Sequence, residues 1–251
     1  MENNTNTENK AKIKEIFSSI QGEGIYIGTK QLFIRFCSCN LKCDYCDTPH
    51  LPENINDKDS FMEFTPDELL EYLKKYDLES VHSVSLTGGE PLIWTDFLAE
   101  FLQKLKKKVY LETNATITHN LDKIIQYVDV LAADIKLPSA SGIDNSFELH
   151  NKFFSAIKNY KIDCAIRHQF NCEEKKLFAK IVFDKNITDE EIDNCINLAK
   201  RYNLILILQP MMIGNEMAVD TPFITNLFEK FVTNYKDTRL IPQVHKFINI
   251  E

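Results

Sequence analysis

Glycine is scarce in this chain, at seven residues in 251, and there is one tryptophan. That scarcity excludes collagen-like and glycine-rich low-complexity architectures. It also makes each glycine informative about where the backbone needs room. No apolar run approaches the length that spans a bilayer, so no transmembrane helix is expected. Positive charge is in deficit, with 29 Lys and Arg against 37 Asp and Glu and a net charge of −8. The basic residues are scattered, which argues against nucleic acid as the main partner, because phosphate neutralisation needs clustered cations. The densest basic run, 104–108, reads as a solvated helix end. The polar opening residues lack the apolar core of a secretory leader. Residues 1–11 are therefore expected to be a disordered tail, residues 12–251 a single domain, and the protein cytoplasmic. Seven cysteines, an odd number without a leader, do not read as a disulfide framework.

What is present is an alternation of short apolar runs with helix-start chemistry. Strands are predicted at 31–36, 83–86, 109–112, 128–133, 178–183 and 204–208. Thr65-Pro66-Asp67-Glu68 combines a capping box with proline at the first helical position, and Thr188-Asp-Glu-Glu191 is a second capping box. Thr221-Pro222 predicts a third helix start. Strands alternating with helices imply a parallel sheet with right-handed crossovers. About six such units without a dinucleotide fingerprint predict an α/β fold of the partial, open-barrel kind. In parallel barrels chemistry gathers at the C-terminal strand ends, which is where the motifs of this chain fall.

Four of the seven cysteines, Cys37, Cys39, Cys43 and Cys46, lie within ten residues directly after the first predicted parallel strand. In Cys39-x3-Cys43-x2-Cys46, three thiolates on one loop can hold three irons of a [4Fe–4S] cube and leave the fourth open to a chelating ligand. The alternative is zinc held by Cys39, Cys43, Cys46 and His50. Cys37 reads as a bystander. Gly88 and Gly89, in Leu86-Thr-Gly-Gly-Glu-Pro91, end the next strand, where a bare backbone can approach a ligand, although a plain strand-to-helix turn would look the same. Gly22, Gly24 and Gly28 mark a loop around Glu23 that is not a P-loop, since no Gly-Lys-Ser/Thr follows. Arg35 offers a planar fork suited to a carboxylate, or a structural ion pair. Glu112-Thr113-Asn114, Asp134-Ile135-Lys136 and Gln209-Pro210-Met211-Met212 end three further strands.

Together these residues resemble a known family. The three-cysteine loop with Gly-Gly-Glu-Pro resembles the radical S-adenosylmethionine superfamily. Phe17-Ser-Ser-Ile-Gln-Gly-Glu-Gly24, Cys46-Asp-Thr48, Leu111-Glu-Thr-Asn114, Asp134-Ile-Lys136, Leu208-Gln-Pro210 and Pro242-Gln-Val-His-Lys246 narrow the likeness to the 7-carboxy-7-deazaguanine synthases, from about Lys12 onward. Two departures stand out: Cys37-Ser38 replaces an apolar residue and glycine before Cys39, and Ala115 stands where the family favours glycine.

The resemblance implies a lyase that converts 6-carboxy-5,6,7,8-tetrahydropterin to 7-carboxy-7-deazaguanine with loss of ammonia, in queuosine and 7-deazapurine biosynthesis. It implies a [4Fe–4S] cluster on Cys39, Cys43 and Cys46, S-adenosylmethionine used catalytically, and Mg2+ on Thr48. Tyr45, Cys46, Asp47, Gly88, Gly89, Glu90, Asp134, Ile135, Lys136, Gln209, Pro210, Met211 and Met212 would bind the cofactor. Ile20, Gln21, Gly22, Arg35 and Thr87 would bind the pterin. An electron donor such as flavodoxin or ferredoxin and a homodimer are further implications. No side chain is assigned to proton transfer. Two alternatives stay open on the residues alone: an activase that makes a glycyl radical on a partner protein, and a zinc or iron–sulfur module that docks a protein or tRNA.

Overall fold

The computed structural model describes residues 9–46, 61–166 and 176–250. In chain order its strands are β1 (Ala11–Ile20), β2 (Lys30–Phe36), β3 (Met62–Phe64), β4 (Ser83–Gly88), β5 (Val109–Thr113), β6 (Val130–Asp134), β7 (Lys176–Phe183), β8 (Ile205–Pro210), β9 (Met212–Ile213), β10 (Glu216–Met217) and β11 (Thr238–Leu240). The helices are α1 (Pro66–Leu73), α2 (Thr95–Lys104), α3 (Leu121–Ile125), α4 (Pro138–Ser141), α5 (Ser146–Ile166), α6 (Asp189–Tyr202), α7 (Thr221–Asn234) and α8 (Val244–Ile248). No described helix is long and apolar enough to cross a membrane.

Nine strands form one sheet in the order β11-β8-β7-β6-β5-β4-β2-β1-β3. From β2 through β4, β5, β6, β7 and β8 to β11 every neighbouring pair is parallel. β1 and β3 extend the β2 edge in antiparallel fashion. β11 and β3 stand at opposite edges, so the barrel is open. All six predicted strands are present. The pattern did not reveal β1 or β11, and Ala11, assigned to the tail, is a fully buried residue of β1.

Local signals explain the helix starts. In α1 and α6 the capping boxes close as predicted: the Thr65 and Thr188 hydroxyls accept from the backbone N–H of Glu68 and Glu191, whose carboxylates accept in return. At α7 the cap is Asp220, one residue before the predicted start, and its carboxylate accepts from the Phe223 N–H.

Residues two apart on a strand share a face, and this places the site. Leu111, Leu131, Ile181 and Leu208 point outward into the main core against the helices. Tyr110, Ala132, Phe178 and Ile207 point inward as an apolar plug, packed by Ile25 and Tyr26. Two residues further along those same inward rows come Glu112, Asp134, Lys180 and Gln209, which line a cavity of about 750 Å3. The inner face thus changes from apolar to ionic at the C-terminal strand ends.

Candidate active site

The loop after β2 brings Cys39, Cys43 and Cys46 to the cavity, and the buried Cys37 at its start lines the cavity as well. Among the described residues no three His, Cys, Asp or Glu side chains gather around one point as a single ion requires. The Leu41 N–H and the Asn114 amide both donate toward Cys39 Sγ, at 3.4 and 3.7 Å. Such N–H···S contacts stabilise thiolate ligands. Burial pushes the Cys43 thiol up to about 11, so a positive metal centre is what would hold it as thiolate. The donor set fits the cluster.

The glycine pair sets the depth of this loop. Gly88 has φ +122°, and a Cβ on Gly89 would lie 1.9 Å from the Ser38 carbonyl oxygen. The close approach is therefore to the cysteine loop itself. Gly89 N donates to Phe36 O at 3.0 Å and Glu90 N to Ser38 O at 2.8 Å. Ser38 and Ala115, which stand where the resemblance implies glycine, both adopt left-handed backbone, with φ of 70° and 55°.

Behind the wall, Glu90 is fully buried and has no cationic partner among the described residues. Its carboxylate accepts from Leu92 N, Thr113 Oγ1 and Asn114 N at 3.0, 2.8 and 2.7 Å. Burial outweighs those donors and pushes its pKa up to about 7.

The cavity floor is an ionic chain. Lys180 pairs with Glu23 and lies 3.4 Å from Asp134, whose other oxygen meets Lys136 Nζ at 2.7 Å. Burial raises the Asp134 carboxyl, but Lys136 and Lys180 outweigh it and hold the pKa below the ordinary value. Glu112, on the next inward row, is raised by burial. It accepts from Gln21 Nε2 at 2.9 Å and from Thr87 Oγ1 at 3.2 Å. Gln209 is buried on the wall, and its Oε1 has no partner among the described residues. It is an acceptor suited to a ligand's donor.

On β2, ahead of the cysteine loop, Arg35 Nε pairs with Glu15 at 2.6 Å, and the guanidinium lies over the Phe17 ring at 5.6 Å. The Gln21–Gly24 loop is locked to the C-terminal segment: Val244 N donates to Gly22 O, and Gln243 donates to Glu23.

Ile20, Gln21, Gly22, Arg35, Thr87, Tyr45, Gly88, Gly89, Asp134, Lys136, Gln209, Met211 and Met212 all reach the cavity wall. Glu90, Ile135 and Pro210 do not; their side chains are buried behind it and support the backbone turns. Asp47, Thr48 and His50 lie outside the described residues. The sequence reading missed Lys180, Glu15 and His150. Lys180 had a signal, since a lysine inside the apolar run of a parallel strand needs a buried partner.

A partial barrel with three cysteines after its first parallel strand, facing a polar cavity, is the build of an S-adenosylmethionine radical enzyme. The Radical SAM superfamily profile matches residues 33–218. Within that superfamily the chain belongs to the 7-carboxy-7-deazaguanine synthase family. It is 36% identical to the 7-carboxy-7-deazaguanine synthase of Archaeoglobus fulgidus over 242 residues, covering 96% of this chain and 99% of that one. It is 34% identical to the synthase of Geobacter sulfurreducens, covering 95% and 97%. The crystal structure of QueE from Escherichia coli shares the fold at 20% identity, with a TM-score of 0.59 over 94% of this chain and 95% of that one.

Proposed function

We propose that this chain converts 6-carboxy-5,6,7,8-tetrahydropterin to 7-carboxy-7-deazaguanine with loss of ammonia, on the route to queuosine and related 7-deazapurines. The observation that carries this reading is one cavity lined by two kinds of group. The Cys39, Cys43 and Cys46 loop and the Gly88–Gly89 backbone share it with Arg35, Thr87, Gln21 and Glu112. The near full-length likeness to proteins named 7-carboxy-7-deazaguanine synthase supports it.

In this reading Cys39, Cys43 and Cys46 hold a [4Fe–4S] cluster. Tyr45, Asp47, Gly88, Gly89, Asp134, Lys136, Gln209, Met211 and Met212 bind S-adenosylmethionine, with Glu90, Ile135 and Pro210 supporting from behind. When bound, cluster and cofactor supply one-electron cleavage and an organic radical. The protein supplies position and electrostatics. Arg35, steadied by Glu15, is a counter-charge for the substrate carboxylate. Gln21, Gly22 and Ile20 edge the pterin, and Thr87 and Gln21 fix the Glu112 carboxyl. Held above the ordinary carboxylate range, Glu112 can present a proton or a lone pair to the ring nitrogens. Lys180 and Lys136 balance the buried carboxylates Glu23 and Asp134, so the floor carries little net charge.

Mg2+ on Thr48, a hard oxygen beside the substrate carboxylate, completes the reading. So do an electron donor of the flavodoxin or ferredoxin kind, a homodimer and a cytoplasmic setting. Anaerobic incubation of reconstituted protein with carboxypterin, S-adenosylmethionine, Mg2+ and a reductant should give the ring-contracted product by mass. Cofactor cleavage without that product would assign another substrate. Thr48→Ala should lose most Mg2+ stimulation while keeping the cluster; an unchanged metal response would remove Thr48 from the site.

A further inference from the structure

His150 is buried on α5, in the row His150, Phe153, Phe154 and Ile157 that packs the helix against the sheet. It lies outside the cavity wall, yet both of its ring nitrogens reach the C-terminal ends of neighbouring parallel strands. Nε2 lies 2.9 Å from the Lys136 N–H, past the end of β6. Nδ1 lies 3.2 Å from the Ala115 carbonyl oxygen, past the end of β5. A backbone N–H can only donate and a backbone carbonyl can only accept. The tautomer is therefore fixed by geometry: Nδ1 carries the proton, and Nε2 accepts.

Each of these two turns leads to the cysteine loop. On the β5 side, Asn114 donates to Cys39 Sγ and, at 2.8 Å, to Asn40 Oδ1. Its neighbour Ala115 holds φ +55° without being glycine, so the carbonyl that His150 binds sits on a strained turn. On the β6 side, Lys136 Nζ pairs with Asp134 and stands 5.2 Å from the centre of the Tyr45 ring. Tyr45 lies between Cys43 and Cys46. One imidazole thus ties together two turns that hold the cysteine loop from both flanks, while Gln21, Arg35 and Thr87 stand on other elements.

We propose that His150 is a positioning residue for the cofactor half of the cavity, which sets the Asn114–Ala115 turn and the Lys136 backbone so that S-adenosylmethionine is held in register with the cysteine loop. The inference rests on the reading of the cavity given above. Neutrality of the ring is part of the device, because an imidazolium could not accept from Lys136. Burial, joined by the Lys136 charge, pushes the His150 pKa down to about 4 against the opposing pull of Asp134 and the Ala115 hydrogen bond.

The test has two arms. In the first, S-adenosylmethionine binding to cluster-loaded protein is measured by equilibrium dialysis, without pterin. His150→Phe should weaken it about tenfold, the effect of one lost hydrogen bond at a positioned group. It should also raise the ratio of 5′-deoxyadenosine to ring-contracted product, with the pterin KM changed less than about twofold. His150→Gln, whose amide can both donate and accept, should recover much of the affinity. Wild-type affinity and product ratio in His150→Phe, with only a lowered Tm, would reduce His150 to a packing residue and overturn the proposal. The second arm needs no folded variant. Nitrogen-15 spectra of histidine-labelled wild-type protein should show one ring with a protonated Nδ1 and an accepting Nε2, unchanged from pH 6 to 8. An Nε2-protonated or imidazolium ring for His150 in that range would also overturn it. Wild-type protein that binds and cleaves S-adenosylmethionine but leaves the pterin unchanged would refute the proposed substrate and leave the role of His150 standing.

Discussion

Ser38 and Ala115 share an unfavourable backbone but not an environment, so replacing each by glycine separates two effects. A non-glycine residue in the left-handed region costs about 1–2 kcal/mol. Glycine returns about 0.5–1 kcal/mol of that through the freer unfolded chain. For Ser38, at φ 70° and half-buried, the balance is a gain of about 0.5–1 kcal/mol. Ala115, at φ 55°, is fully buried. Removing its methyl forfeits about 0.8 kcal/mol of burial, which cancels the gain. Ser38→Gly should therefore raise the urea midpoint with unchanged slope, and the thermal midpoint by about 1–4 °C. Ala115→Gly should leave both near the wild-type values. The comparison is made on equilibrium urea curves of the same preparation. A lowered midpoint for Ser38→Gly, or an equal gain in Ala115→Gly, would refute the assignment of strain and burial at these positions.

Three further expectations concern the site. Replacing Cys39, Cys43 or Cys46 by Ala should abolish cofactor cleavage and lower bound iron, whereas Cys37→Ala should keep both. Loss of the cluster in the Cys37 variant would give that residue a ligand's role. Arg35→Lys should raise the pterin KM by roughly thirtyfold, about 2 kcal/mol, because an ammonium cannot bind Glu15 and a carboxylate in fork geometry at once. An unchanged KM would make Arg35 purely structural. For Glu90 the folded pKa of about 7 lies above the ordinary glutamate value of 4.5. A raised carboxyl penalises the folded state once ionised, so the penalty is absent below pH 4.5, grows between pH 4.5 and 7, and is complete above. Its full size is about 3 kcal/mol. The stability difference between Glu90→Gln and wild type should shift in favour of the variant across that window, and a pH-independent difference would show that Glu90 keeps an ordinary pKa.

The sequence by itself determined the elements whose signals are local. Six parallel strands, two capping boxes, the cysteine spacing and the glycine pair were all legible, because each depends on neighbours a few residues away. Most of the cavity wall was legible too, since the motifs end successive strands and parallel strands bring those ends together. Tertiary structure alone decided which charges meet. Lys180 finds Glu23 across 157 residues, and no local pattern encodes that pairing. β1 remained hidden because an antiparallel partner at the sheet edge leaves no crossover signature in sequence. Glu90, Ile135 and Pro210 share motifs with wall residues, yet their side chains face away from the cavity, because the turn at each strand end, and not the motif, sets direction. His150 reads in sequence as one polar residue on an apolar helical row. Only the packing of α5 behind β5 and β6 gives its two nitrogens a fixed donor and a fixed acceptor.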